Sequence, residues 1–184
     1  MFTQRVDDNL EITAWAPAHA EEMFSVIDAN RDHLRRWLPW LDREKSVDDA
    51  LTFIRRATEQ AERNDGFHAG VWRHDRLIGG MGLHYVDWVN RKTELGYWVA
   101  EAEQGQGIIT RCCRALLDRI FDDWKLNRAV IFCATENRRS RAIPERLGFT
   151  HEGNCRQAEW LYDHFVDLAG YGLLADEWAK APHR

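Results

Sequence analysis

The chain has 184 residues, 45% of them hydrophobic, with a net charge of -5 at neutral pH. That length fits one domain over residues 1–184 with a substantial core. The acidic balance argues against direct nucleic-acid binding, which uses a basic excess, and no apolar run reaches membrane-spanning length.

Leu10-Glu11-Ile12-Thr13-Ala14-Trp15 alternates and reads as a first strand. Pro17 opens a helix to about Asn30, with Ala20, Met23, Phe24 and Ile27 on one face. A helical turn from Arg31 leads into Trp37-Leu38-Pro39-Trp40, and Ser46 caps a helix ending near Arg63. Asn64-Asp65-Gly66 is a turn into a hairpin, Phe67-His68-Ala69-Gly70-Val71-Trp72 followed by Leu77-Ile78-Gly79-Gly80-Met81-Gly82-Leu83-His84-Tyr85. A fourth strand ends at Ala100, and a helix continues to Lys125. A buried strand covers residues 129–134, and a short helix covers residues 140–147. Pro144 lies in that helix and is expected in its first turn, where a missing N–H costs least. Two strands, residues 150–158 and 160–174, close an α+β domain with a mostly antiparallel sheet and helices on both faces.

The segment Gln104-Gly105-Gln106-Gly107-Ile108-Ile109-Thr110 sits between the fourth strand and the long helix. Strand, glycine turn and helix together place free backbone N–H groups at a helix N-terminus, a geometry that receives phosphate. An ordinary left-handed turn would use the same glycines. The pattern is neither a Walker loop nor a dinucleotide fingerprint. A second segment, Asn137-Arg138-Arg139-Ser140 followed by Leu147-Gly148-Phe149, adds to it.

At these residues the chain resembles the GNAT superfamily of acetyl-CoA-dependent N-acyltransferases. The family's pyrophosphate motif Q/R-x-x-G-x-G/A is matched by Gln104 and Gly107, while Ile109 stands at the terminal small-residue position. That departure resembles the RimJ/RimL branch of protein N-terminal acetyltransferases. The likeness takes in Arg35-Arg36-Trp37-Leu38-Pro39-Trp40, Leu95-Gly96-Tyr97-Trp98, Glu152-Gly153 and a closing Glu177-Trp178. It implies a GNAT fold with a sheet of about seven strands.

The resemblance also implies roles. Backbone groups from Gly105, Gln106, Gly107, Ile108, Ile109 and Thr110 would hold the pyrophosphate of acetyl-CoA, with Gln104 shaping the turn. Arg139, with Arg111 and Arg138, would meet other phosphates or be solvated. Trp98, Val99 and Ala100 would pair with pantetheine, and Asn137 would orient it or serve as an ordinary turn residue. Many relatives carry an acidic tyrosine seven residues after that asparagine. Here the position is Pro144, so Ser140 is the candidate acid, with a helix N-cap as its other reading. Glu101, or else Glu94, is the candidate base, with a solvated acidic rim as the alternative. Trp37, Trp40, Glu159, Tyr162 and His164 are candidates for lining the acceptor pocket, core packing being the alternative for the tryptophans.

The implied reaction is direct transfer of acetyl to a primary amine in a ternary complex, foremost the N-terminal α-amine of a ribosomal protein. A small amine (polyamine, amino acid or aminoglycoside) is the rival acceptor, and a non-catalytic acyl-CoA sensor is the rival class. Cys112, Cys113, Cys133 and Cys155 show no C-x-x-C or zinc spacing, so no metal is expected. Reduced thiols, and the absence of an apolar segment after the polar residues 1–8, give a cytoplasmic expectation. A homodimer is left open.

Overall fold

A computed structural model describes residues 2–181. Two strands, β1 (Thr3–Arg5) and β2 (Leu10–Ala14), precede three helices, α1 (Ala20–Ala29), α2 (Arg31–Arg35) and α3 (Val47–Glu62). Three strands follow, β3 (Phe67–Arg73), β4 (Arg76–Asp87) and β5 (Lys92–Val99). Then come α4 (Ile108–Asp118), β6 (Arg128–Ala134), α5 (Arg138–Arg146), β7 (Thr150–Leu161), β8 (His164–Leu174) and α6 (Ala175–Ala179).

The sheet has eight strands in the order β1-β2-β3-β4-β5-β6-β8-β7, and only the β5–β6 pair is parallel. One face packs on α4 and on Trp178 of α6, through Leu95, Cys113, Leu116, Ile120 and Tyr171. Across the other face Ile27 of α1, Ile54 of α3 and Leu41 gather around Trp15 and Trp72. Helices therefore flank both faces, as expected. No helix among the described residues is long and apolar enough to cross a membrane.

Local chemistry explains most boundaries. Ser46 caps α3, its hydroxyl accepting from the Asp49 N–H at 3.2 Å. Pro17 opens a 3-10 turn, Pro17–His19, and the α-helix proper starts only at Ala20. The eighth strand, β1, escapes the hydrophobic pattern because Thr3-Gln4-Arg5 is polar; it exists by edge pairing with residues 11–13. The long helix ends its regular part at Asp118 and widens into a π-helical turn, Arg119–Asp123. The turn between the last strands falls at Tyr162-Asp163, later than the sequence suggests.

Pro144 corrects an expectation. It sits in the second turn of α5, not the first. Lacking an N–H, it leaves the Ser140 carbonyl, four residues earlier, without its helical donor. The Tyr97 hydroxyl donates to that carbonyl at 3.2 Å, so a tertiary contact replaces the missing helical bond.

Candidate active site

β5 and β6 pair only at Lys92–Arg128, Thr93–Ala129 and Glu94–Val130. Beyond Glu94, β5 follows β4 to Val99 while β6 follows β8 to Ala134. A wedge opens between residues 95–99 and 131–134. The Ala100 N–H donates to the Ile78 carbonyl at 2.9 Å, so it faces β4. Antiparallel alternation gives Trp98, opposite Gly80, the same orientation. This corrects the expected pantetheine edge: Val99 and Tyr97, not Trp98 and Ala100, turn their backbone groups into the wedge. The Trp98 side chain lies over Gly80, where a Cβ would come within 2.5 Å of the indole Nε1.

The glycine turn lies at the wide end. Gly105 and Gly107 have φ of 75° and 69°, and a Cβ on Gly105 would meet nothing within 4 Å. Gly107 occupies the N-cap of α4 and supplies no side-chain cap, so the first N–H groups of the helix depend on a ligand or solvent. Ile108 and Ile109 bury their side chains in the core, which accommodates a large residue at the terminal position of the motif. Gln104 is held by the His33 ring at 2.9 Å and by Arg139. The Gln106 side-chain oxygen accepts from Arg73 at 2.8 Å, and Arg111 holds the Gln106 carbonyl at 2.9 Å. Thr110 lies in the first turn of α4.

α5 brings the second segment to the opposite wall. Asn137, not Ser140, is its N-cap: the Asn137 Oδ1 accepts the Ser140 N–H at 3.2 Å. Ser140 is left with its hydroxyl 3.3 Å from the Tyr97 hydroxyl, and the Cys133 thiol lies in the same part of the wedge. Burial pushes that thiol up to about 11, so it stays protonated at neutral pH.

The carboxylates separate. Glu101 sits on a 3-10 turn with its side chain 65% exposed, 3.9 Å from His33. Glu94 is more enclosed, and its carboxylate accepts from the His84 Nδ1 at 3.0 Å. A bulge in the β4–β5 pair, between Leu83 and Val86, brings those two side chains together. Glu159 enters the same neighbourhood. β7 advances from Cys155 to Glu159 while β8 passes only from Leu168 to Val166. The Asp167 carboxylate pins this bulge by accepting the Gln157 N–H at 2.7 Å. Burial raises the Glu159 carboxyl above the ordinary range; His84 counters that shift and Glu94 adds to it.

A family model described as Acetyltransferase (GNAT) domain matches residues 9–150. The chain belongs to the GNAT acetyltransferases. It is 38% identical over 179 residues to YdaF of Bacillus subtilis, named among ribosomal N-acetyltransferases, covering 97% of this chain and 98% of that protein. It is 30% identical over 174 residues to the ribosomal-protein-serine acetyltransferase of Escherichia coli, covering 95% and 97%. In fold it matches the ribosomal α-N-protein acetyltransferase RimL, solved with coenzyme A in disulfide linkage to one of its cysteines. That match has a TM-score of 0.92 at 24% identity, covering 96% of this chain and 99% of that one.

The residues of this GNAT acetyltransferase fit acetyl-CoA as donor: an uncapped helix N-terminus, an open left-handed glycine and an unpaired strand edge lie in line. The acetyltransferase also has a cavity of about 640 Å³ between α2 and the β7–β8 turn. Trp37, Tyr162 and His164 line it, with Asp32, Arg36, Phe165 and Asp167. Trp40 packs on Trp98 at 6.4 Å between ring centroids, and Glu159 belongs with Glu94 and His84. His84, which contacts Glu94, and Tyr97, which contacts Ser140, were not singled out in the sequence reading. Cross-strand register would have found His84 opposite Glu94, had the bulge been legible.

His68 of this acetyltransferase is lowered to about 4, chiefly by burial and then by His84. An unfolded histidine titrates near about 6.5. Between those values the unfolded chain binds a proton that the native one refuses, so stability falls as pH drops from about 6.5 toward 4. Urea unfolding across that range should show a loss of up to about 3 kcal/mol. His68→Leu is expected to flatten that limb.

Proposed function

We propose that this acetyltransferase moves the acetyl group of acetyl-CoA directly to the N-terminal α-amine of a protein, a ribosomal one foremost. The observation that carries this reading is the wedge itself. Donor-holding N–H groups and Ser140 stand on its walls, and the Glu94–Glu159–His84 cluster stands beside it. The names of YdaF and of the Escherichia coli relative support the ribosomal acceptor. We place the protein in the cytoplasm, where its four free cysteines would stay reduced.

Acetyl-CoA brings a thioester whose thiol is a fair leaving group, with a pKa near about 8.5 for ordinary thiols. The N–H groups at the α4 N-terminus bind its pyrophosphate, and the wedge edge at Tyr97 and Val99 holds its pantetheine arm. One N–H of that edge points where negative charge develops on the acyl oxygen, a contribution of about 3 kcal/mol when well aimed. Glu159, coupled to Glu94, accepts the proton of the amine. An α-amine near about 8 asks less of such a base than a lysine near about 10.4, which favours an N-terminus over a side chain. Ser140 returns a proton to the departing sulfur.

Mass spectrometry of N-terminal peptides and of small amines incubated with the protein and acetyl-CoA tests the acceptor. α-Acetylated peptides are expected. Modified polyamines with untouched peptides would select the small-amine reading, and cofactor binding without turnover would select a sensor. Ser140→Ala is expected to lower kcat about tenfold with the KM for acetyl-CoA unchanged, because a thiol needs only weak acid help. Parental kinetics in that variant would remove Ser140 from the chemistry.

A further inference from the structure

We propose that Tyr97 is the positioning residue of the reaction: it spans the wedge and holds the Ser140 side chain in one rotamer on the wedge side, from which the hydroxyl turns from the tyrosine to the departing sulfur. This rests on the reading of Ser140 as the acid.

Tyr97 belongs to β5 and Ser140 to α5, opposite walls of the wedge, 43 residues apart in sequence. Two contacts join them. The Tyr97 hydroxyl donates to the Ser140 carbonyl at 3.2 Å, and the Ser140 hydroxyl donates to the Tyr97 oxygen at 3.3 Å. The first contact exists because Pro144 brings no N–H to that carbonyl. The residue that replaces the family's tyrosine thus frees the carbonyl by which another tyrosine grips the serine.

Ser140 stands in the first turn of α5, three residues after the Asn137 cap, and the Tyr97 oxygen gives its hydroxyl a partner on the other wall of the wedge. Holding one rotamer in advance removes an ordering cost that would otherwise fall on the reaction. Tyr97 is not itself the proton source. Tyr97 is partly buried against the core, and desolvation holds its phenol well above the usual tyrosine range. It remains a neutral donor and acceptor throughout.

The test is Tyr97→Phe, which removes one oxygen and keeps the ring. Its kcat is expected to fall about fivefold, the weight of one hydrogen bond, with the KM for acetyl-CoA unchanged. In a Ser140→Ala background the same change should cost nothing further, and the pH profile of Tyr97→Phe should keep the parental limbs. In protein without acetyl-CoA, amide hydrogen exchange over residues 138–146 should quicken about fivefold in Tyr97→Phe. Parental kcat in Tyr97→Phe, or a loss that adds fully to that of Ser140→Ala, would overturn the proposal. So would loss of a pH limb, which would make Tyr97 the acid. Unchanged exchange would remove the grip whatever the kinetics. Parental kcat in Ser140→Ala is a different failure: it overturns the acid reading and the catalytic purpose of the grip together, while the exchange result still reports the contact.

Discussion

Gly107→Asp is expected to raise the Kd for acetyl-CoA at least about 100-fold while leaving the folded protein close to its parental thermal midpoint. The residue has φ of 69° and caps α4 without a side chain. Aspartate tolerates the left-handed region better than most residues, and an acidic group at a helix N-terminus is favourable. Little stability should be lost. The nearest heavy atom to a Cβ there is an Arg111 guanidinium nitrogen at 3.3 Å, the end of a side chain that can move. Binding is another matter. The carboxylate takes up the N–H groups that a pyrophosphate needs and sets a negative charge against it. At about 4 Å and an effective dielectric near about 20, that repulsion is about 4 kcal/mol. Gly148→Ala is the matched control: φ is 83°, nothing lies within 4 Å of the new Cβ, and the position is away from the turn. It should cost about 1 kcal/mol of stability and leave binding intact. Calorimetric titration with acetyl-CoA separates the two variants; near-parental affinity in Gly107→Asp would mean that the phosphates bind elsewhere.

Glu159→Gln should lower kcat/KM for a peptide N-terminus about 100-fold near neutral pH. A base works best when its pKa approaches the working pH, and burial moves Glu159 in that direction. The raised value also fixes a sign. As pH falls, the carboxyl protonates earlier than an ordinary glutamate, so the acid limb of the parental profile should lie above the usual carboxylate range. At alkaline pH more of the acceptor, near about 8, is already neutral, so the deficit of Glu159→Gln should shrink. Glu94→Gln acts through a neighbour: removing its charge eases the rise in Glu159, and the acid limb should move down. A large loss in Glu94→Gln with parental kinetics in Glu159→Gln would exchange the two roles.

The two halves of the site differ in how far the sequence reaches. The donor half was legible because its determinants are neighbours in the chain. Gly105, Gly107 and the start of α4 form one local motif, and Asn137 caps α5 three residues before Ser140. The acceptor half was read less well. Glu101 was the first candidate base, but it lies on a 3-10 turn after β5 ends, largely exposed and beside His33. Glu159 was expected to line the pocket, and its partnership with Glu94 depends on a bulge that alternation alone does not reveal. The same holds for backbone direction: Trp98 and Ala100 were assigned to the wedge, yet hydrogen bonding to β4 decides which residues face it.

The sequence by itself determined the α+β class, most of the elements, the glycine turn and the membership that these imply. Periodicity, capping and turn chemistry act over a few residues, and a reader of the chain has them all in view. Tertiary structure decided what meets: Tyr97 with Ser140 across the wedge, and Glu94 with His84 on the adjoining strand pair. Those meetings follow from strand register, one bulge and one proline without an N–H, each of which matters only once distant segments are paired. The proposed grip on the donor is thus written locally, while the proposed acid and base are assembled from strands and a helix far apart in the chain.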